Sequence, residues 1–476
     1  MWNLETGERY NEHYDKLILA PGAEPIRPSL PGVELPDVFT LRTVEDTLRI
    51  SRALEEQNLR SAVIVGGGFI GVEMAENLHA RGLKVTILEK QPQLLGQLDS
   101  DMACFVHAHL REKGIGLILG QGLTGMETAE GGGLTVRTDT GASLPADAVL
   151  LALGVRPDSR LAAEAGLELG VKNSIAINDR MQTSDPDIYA VGDAVQITHT
   201  VTGAPALISL AGPANKQGRI AADNICGRES VYRGACGTSV LKVFDLAVAS
   251  TGIGERLAQA AGMDYDRVVL SPASHAGYYP GGRVMTMKLL FARSDARILG
   301  AQIVGYDGVD KRIDVLATAM QAGLPATALK DLDLAYAPPF SSAKDPVNMA
   351  GYLAENLLTG VVKQFHYDDL ASLARDGSVT LLDTRTDAEY AAGHAEGFET
   401  HIPVDELRER LGELNPDRPV YVMCQSGLRS YIACRILAQN GFDCYNFSGG
   451  YRLYRAIREE REGSTSAFPC GMEKSR

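Results

Sequence analysis

The chain has 476 residues, 45% of them hydrophobic and 22% charged, with 60 Asp and Glu against 46 Lys and Arg and a net charge of −14. That length exceeds what one hydrophobic core organises and calls for about three domains. The acidic balance excludes a general nucleic-acid binder, which needs a basic surplus to neutralise phosphates, but not an anionic small substrate held in a local basic pocket.

In chain order, Tyr14 to Ala20 (YDKLILA) has a buried-strand pattern that stops at Pro21-Gly22. A proline-rich stretch follows, and then an amphipathic helix from Thr43 to Gln57. Residues 61 to about 156 alternate strand and helix, the pattern of a parallel sheet. Within them Gly131, Gly132 and Gly133 mark a hairpin turn. Ile188 to Asp193 (IYAVGD) is a further strand ending on glycine, followed by a helix through Asn215 to Ile225. From about 230 the pattern becomes α+β, with strands at Ser239 to Phe244, Val284 to Phe291 and Ile298 to Val304 and a helix at Asp310 to Ala322. Val361 to Tyr367 reads as a linker, residues 366 to 458 as a small α/β unit, and 459 to 476 as a polar, frayed tail.

The most specific local signal starts at Ser61. A short apolar strand leads into Gly66-Gly67-Gly68-Phe69-Ile70-Gly71, a helix from Val72 to Ala80 and a second strand from Val85 to Leu88, ending in Glu89. Gly66, Gly68 and Gly71 occupy the GxGxxG positions: tight turn, close approach of a pyrophosphate, and helix–strand packing. The helix N-terminus, with Phe69 and Ile70 beside it, offers amides to phosphate charge. Glu89 suits the two ribose hydroxyls of NADH and repels a 2′-phosphate, so NADH is preferred; Lys84 or Lys90 keeps NADPH open. Further on, Gly192 and Asp193, with Ala194, follow a strand where a phosphate-bearing cofactor would lie. Gly22 and Gly154 each end an apolar strand where a side chain would crowd a ring, although Gly154 alone reads equally well as an ordinary strand-to-loop glycine.

YDKLILAPGAEPIRPSLPG, GGGFIGVE, LALGVRPDS and TSDPDIYAVGDAV, in that order and spacing, resemble the two-dinucleotide flavoprotein disulfide reductases. LAGPANKQGRIAADNI and LAYAPPFSSAKDPVNMAG narrow the resemblance to the coenzyme A-disulfide reductase branch, with its NADH oxidase-like and persulfide reductase members. The resemblance implies FAD and NADH as cofactors, a homodimer, and Asp193 at the ribitol or pyrophosphate of the flavin. It also implies tyrosines that reach toward the partner subunit's redox cysteine and protonate a departing CoA thiolate. Tyr336 and Tyr279 are the candidates for that role, while Tyr278 reads as packing. The family also carries an opening GxGxxG unit and a redox cysteine ahead of YDKLILAPG. Neither occurs here, so the chain reads as truncated and is expected to hold FAD poorly.

Val420 to Met423 reads as a strand delivering Cys424 to the loop Gln425-Ser426-Gly427-Leu428-Arg429, with a helix from Ser430 to Gln439. A cysteine so placed faces converging backbone amides that can cradle an anionic persulfide, and Arg429 can steady the loop or attract an anionic sulfur donor. With LLDTR, EYAAGHAEG and FSGGYRLY, this part resembles a rhodanese domain, which implies sulfur transfer through Cys424. His394 reads as structural.

The expected fold is therefore α/β: doubly wound dinucleotide-binding domains with the FAD domain incomplete, an α+β dimerisation domain and a small α/β rhodanese domain. The expected boundaries are 1–60 and 177–228 for the FAD-binding parts, 61–176 for NAD binding, 229–360 for dimerisation, 366–458 for the rhodanese domain and 459–476 for a flexible tail. The expected activity is NAD(P)H-dependent, FAD-linked reduction of CoA disulfide, CoA persulfide or a related disulfide, coupled to sulfur transfer from a sulfane-sulfur donor. Two other readings stay open: a sulfurtransferase acting only through Cys424, and a non-catalytic NADH-binding dimer. Seven cysteines without a CxxC pair or zinc spacing point to a reducing cytoplasm, and no apolar run is long enough to span a bilayer.

Overall fold

The computed structural model describes residues 1–463; Cys470 and the remainder of the expected tail lie outside the described residues. The chain forms two compact units, one from Met1–Ser29, Thr40–Arg52 and Leu151–Gly237, the other from Leu30–Phe39, Ala53–Leu150 and Thr238 onward.

In the first unit, Leu17–Leu19 pairs in parallel with Ile188–Ala190, placing Ile18 beside Tyr189, and Val155–Pro157 runs antiparallel to Ala23–Pro25. Ile175, Ile188, Ala190, Ala194, Val195 and Ile197 form its core. Helix Ala211–Ile225 starts four residues earlier than the sequence suggests, through an Ala-Gly-Pro turn with proline in its first turn, where no intrahelical donor is lost.

The second unit holds three sheets that position chemistry. A five-stranded sheet runs Val38–Thr40, Ala148–Leu151, Ser61–Val65, Lys84–Glu89, Gly116–Leu119, with its last three strands parallel. An antiparallel sheet follows in the order Ser239–Val243, Leu246–Gly252, Ile298–Gly305, Thr286–Ala292, Tyr265–Leu270. Every residue of Thr286–Ala292 and Ile298–Gly305 is buried. Helices Val309–Gln321 and Pro346–Leu358 add their apolar faces to the same core. Asp345 caps the second helix and ion-pairs with the fully buried Arg312 at 2.9 Å.

Among the described residues, one fully buried charged residue lies in the middle of this sheet. Lys288 is fully buried, with Asp99 at 3.0 Å, Asp101 at 2.8 Å and Glu255 in contact. Burial opposes its charge, but the three carboxylates outweigh that and raise its pKa above the ordinary lysine value. Asp99, Asp101 and Glu255 are close enough to one another to hold a cation, and the lysine ammonium fills that role.

The third sheet is all parallel, in the order Lys363–Phe365, Cys444–Phe447, Val420–Met423, Thr380–Asp383, Thr400–His401. Here the structure corrects two expectations. The stretch read as a linker supplies the edge strand Lys363–Phe365; three residues are too few for a period-two pattern to show. The tail does not begin at 459, because helix Gly450–Arg461 runs through it. Glu460, polar and unremarkable in sequence, is drawn into that helix by Arg111 and His107, some 350 positions away.

No helix among the described residues is long and apolar enough to cross a membrane.

Candidate functional sites: a nucleotide loop and a persulfide loop

Four of the five residues of Ser61–Val65 are buried, and the strand delivers the chain into the glycine loop at the sheet's C-terminal edge. Gly66 has φ +110°, and a Cβ on Gly71 would fall 2.0 Å from the Gly66 carbonyl oxygen, so helix and loop can be this close only with glycine at both places. Gly68 has open space where its side chain would be. The helix spans Phe69–Ala80, starting earlier than Val72, and its first i→i−4 bond runs from Val72 N to Gly68 O. The amides of Phe69, Ile70 and Gly71 therefore precede that ladder, as anion binding at a helix end requires.

Glu89 ends the neighbouring strand, and its carboxylate is anchored: Oε2 accepts from Gly67 N and Oε1 from Gln91 N, both at 2.7 Å. Each oxygen keeps a lone pair for a ribose hydroxyl. Lys84 starts the same strand, about 16 Å away by strand rise, so of the two lysines only the exposed Lys90 stands at the ribose end. The residues present thus fit a dinucleotide.

In the other unit, Asp193 faces Arg42 at 3.4 Å, and the Arg42 guanidinium lies 3.2 Å from where a Gly22 side chain would start. Gly192 N donates to Gln217 Oε1 at 2.7 Å, Ala194 is buried beneath, and Gly154 O accepts from Ile26 N at 3.0 Å. Gly22 and Asp193 are thus both within reach of Arg42. In sequence Arg42, next to the start of a helix, reads as an ordinary polar flank.

Tyr336 Oη lies 2.8 Å from Tyr278 Oη, so the tyrosine assigned to packing is the one joined to Tyr336. That hydrogen bond, the first cause, raises the Tyr336 pKa. Tyr279 instead meets the His275 ring edge-on at 5.7 Å. Tyr336, His275 and Lys311 border a cavity of about 530 Å³.

Cys424 is fully buried, and its Sγ accepts from Gly427 N at 3.1 Å and from Ser430 Oγ at 3.2 Å. Gly427 makes the curl possible at φ +97°, and helix Leu428–Gln439 starts directly after it. Arg429 does not turn to the sulfur; it forms a two-pronged pair with Glu389, both bonds 2.7 Å. Arg429 is the leading cause that holds the Glu389 carboxyl down at about 2, against its burial and with help from the Thr386 amide. Arg385 is locked on Asp383 and carries the Tyr451 ring 3.9 Å above it. His394 stacks on Tyr390, a packing role. Ser430 was passed over because a serine in a first helical turn ordinarily signals nothing beyond capping. Behind Ser426, Gly427 and Leu428 opens a cavity of about 530 Å³ whose far wall is Leu270, Pro272, Met349 and Tyr352 of the antiparallel block.

Cys104 is buried and donates to Asp101 O, and burial pushes its thiol well above the ordinary value.

Comparison with known proteins agrees with this division in three stretches. The pyridine nucleotide-disulphide oxidoreductase pattern matches residues 3–218, the dimerisation-domain pattern of the same class residues 238–346, and the rhodanese-like pattern residues 366–457. A coenzyme A disulfide reductase of Staphylococcus haemolyticus is 35% identical over 356 residues, 75% of this chain and 79% of that protein. The crystal structure of reduced CoADR-RHD from Bacillus anthracis superimposes with a TM-score of 0.93 at 46% identity, covering 97% of this chain and 82% of that one. An NAD-dependent persulfide reductase from A. fulgidus gives a TM-score of 0.86 at 38% identity, covering 93% and 81%.

Proposed function

This chain belongs to the pyridine nucleotide-disulphide oxidoreductase family, and on that premise we propose that it reduces CoA disulfide or CoA persulfide with NADH through FAD, and exchanges sulfane sulfur at Cys424. The observation that carries this reading is the cavity behind the Cys424 loop, with the rhodanese module as one wall and the antiparallel block as the other. The cavity is lined by Ser426, Gly427 and Leu428 and not by the fully buried Cys424, so a thiol on a long flexible arm seated in it lies against the loop that holds the sulfur.

NADH and FAD together supply a two-electron reduction when bound. The chain's own residues bind and orient. The Phe69–Gly71 amides would hold the NADH pyrophosphate, Glu89 its ribose, and Asp193 with Arg42 the flavin's polar chain. At Cys424 the thiolate attacks the outer sulfur of an anionic sulfane donor. The new S–S bond leaves a persulfide on Cys424, and the donor departs with the electron pair of the broken bond. Attack by CoA thiolate on the outer sulfur then forms CoA persulfide and regenerates the Cys424 thiolate. Gly427 N–H and Ser430 O–H, already directed at Sγ, stabilise the anion at both stages. Tyr336, with Tyr278, is the proton source for a departing thiolate. We also infer a homodimer, supported by the dimerisation-domain match and the exposed Tyr278 and Phe340 beside Tyr336, working in a reducing cytoplasm that suits its free cysteines.

The test is NADH oxidation by purified protein supplied with excess FAD, since the chain is expected to hold FAD poorly, with CoA disulfide, CoA persulfide, or thiosulfate plus CoA. Expected are turnover with the CoA substrates, and loss of thiosulfate-supported turnover alone in Cys424→Ser. Absence of NADH oxidation with every CoA substrate would overturn the reductase reading.

A further inference from the structure

Helix Gly450–Arg461 meets a different site at each end. At its start, Tyr451 N donates to Cys424 O at 2.7 Å and Arg452 N to Gln425 O at 3.1 Å, so the helix grips the backbone of the persulfide loop. Its far end lies about 17 Å away by helical rise. There Glu460 accepts from His107 Nδ1 at 3.0 Å and from Arg111 at 3.1 Å. Burial works against the Glu460 charge, yet His107 and Arg111 hold its carboxyl down at about 2.

The two partners differ in what lies behind them. Arg111 ends at the ion pair. His107 is buried, and its Nε2 accepts from Leu94 N at 3.0 Å. An amide can only donate, so Nε2 carries no proton and Nδ1 must present its own to Glu460. Leu94 in turn fills the space over the glycine loop, with its Cδ2 2.2 Å from where a Gly67 side chain would start. Leu95 N donates to Gly67 O at 2.8 Å, and Gly67 N donates to Glu89 Oε2. An unbroken line of contacts therefore joins Glu460, His107, Leu94, Gly67 and Glu89.

We propose that Glu460 is a positioning residue for the dinucleotide: through His107 and Leu94, helix Gly450–Arg461 of the sulfur-transfer module sets the height of Gly67 and the aim of the Glu89 carboxylate. The proposal rests on the NADH reading of the glycine loop. Glu460 itself touches no cofactor. Arg111 supplies docking strength, and the His107 branch supplies the positioning.

The experiment uses the full chain and titrates NADH into wild type, Glu460→Ala, Glu460→Gln, Arg111→Ala and Glu462→Ala. Glu460→Ala should weaken NADH binding about tenfold and raise KM with little change in kcat, a coupling of ordinary size between linked sites. Glu460→Gln still offers an oxygen to the His107 Nδ1–H and should recover to within about threefold of wild type; Arg111→Ala and Glu462→Ala should bind normally. Because coupling is reciprocal, NADH should slow hydrogen exchange at residues 458–461 in wild type and not in Glu460→Ala. Wild-type affinity in Glu460→Ala, or equal losses in Arg111→Ala and Glu460→Ala, would overturn the proposal, the latter by showing docking alone. Failure of wild type itself to bind NADH would instead remove the nucleotide reading. If Glu460→Ala does not fold, His107→Phe, which loses the acceptor for Leu94 N and keeps the Arg111–Glu460 pair, takes its place with the same two outcomes.

Discussion

Ser430, itself fully buried, donates from Oγ to Cys424 Sγ across 3.2 Å, so the sulfur has a fixed side-chain donor in addition to the Gly427 amide. Removing one of two donors to a developing anion commonly costs about tenfold or more. Ser430→Ala should therefore slow thiosulfate:cyanide sulfur transfer by about tenfold while leaving NADH oxidation with CoA disulfide unchanged. Equal sulfur-transfer rates in the two proteins would show the hydroxyl to be a bystander.

Glu89 is held by Gly67 and Gln91, so it cannot swing away from a 2′-phosphate. Glu89→Ala should raise KM for NADH about tenfold and lower KM for NADPH, narrowing the preference between the two. Steady-state kinetics with both nucleotides checks this, and an unchanged ratio would mean that Lys90 or the loop backbone sets the choice.

Lys288→Met removes the ammonium that joins Asp99, Asp101 and Glu255, leaving only Arg267 paired with Glu255. Breaking such a buried network is expected to cost about 3–5 kcal/mol. Because the lysine's folded pKa is raised, its contribution is complete at neutral pH and disappears only as pH rises through that folded value. Denaturant titrations of the two proteins should therefore differ by a constant amount between about pH 6 and 9.

The Glu389–Arg429 pair has the opposite sign. Glu389 lies below its ordinary value of 4.5, at about 2, so its stabilisation is complete above 4.5 and is lost as pH falls toward 2. Both side chains are about one-third exposed, and solvent screening limits the effect to ~1 kcal/mol. Glu389→Gln should cost stability at pH 7 and converge with wild type near pH 2, as thermal melts would show.

Much of the site could be read from sequence where one local stretch carries a whole device. The Gly66–Gly71 loop with Glu89, and the Cys424 loop with Gly427, are such stretches, and the residues that build each lie within a few dozen positions. What escaped the sequence depends on partners far along the chain. Lys288 reads as an out-of-place charge in a strand until Asp99, Asp101 and Glu255 surround it. Tyr278 and Tyr336 are 58 positions apart, and nothing in either motif says that their hydroxyls meet. Arg42 gains meaning only opposite Asp193. Glu460 was read as part of a tail because polar composition is silent about a buried ion pair.

The edge strand Lys363–Phe365 bears on how such chains can be recombined. A splice placed at residue 366, where the resemblance to a free-standing rhodanese begins, would strip the parallel sheet of its border next to Cys444–Phe447 and expose main-chain donors to solvent or to other molecules. Gene shuffling that treats the joint as a tether would thus yield sticky, aggregation-prone pieces. Exchange between relatives should succeed only where the cut falls upstream of Val361, so that the border strand travels with the module it completes.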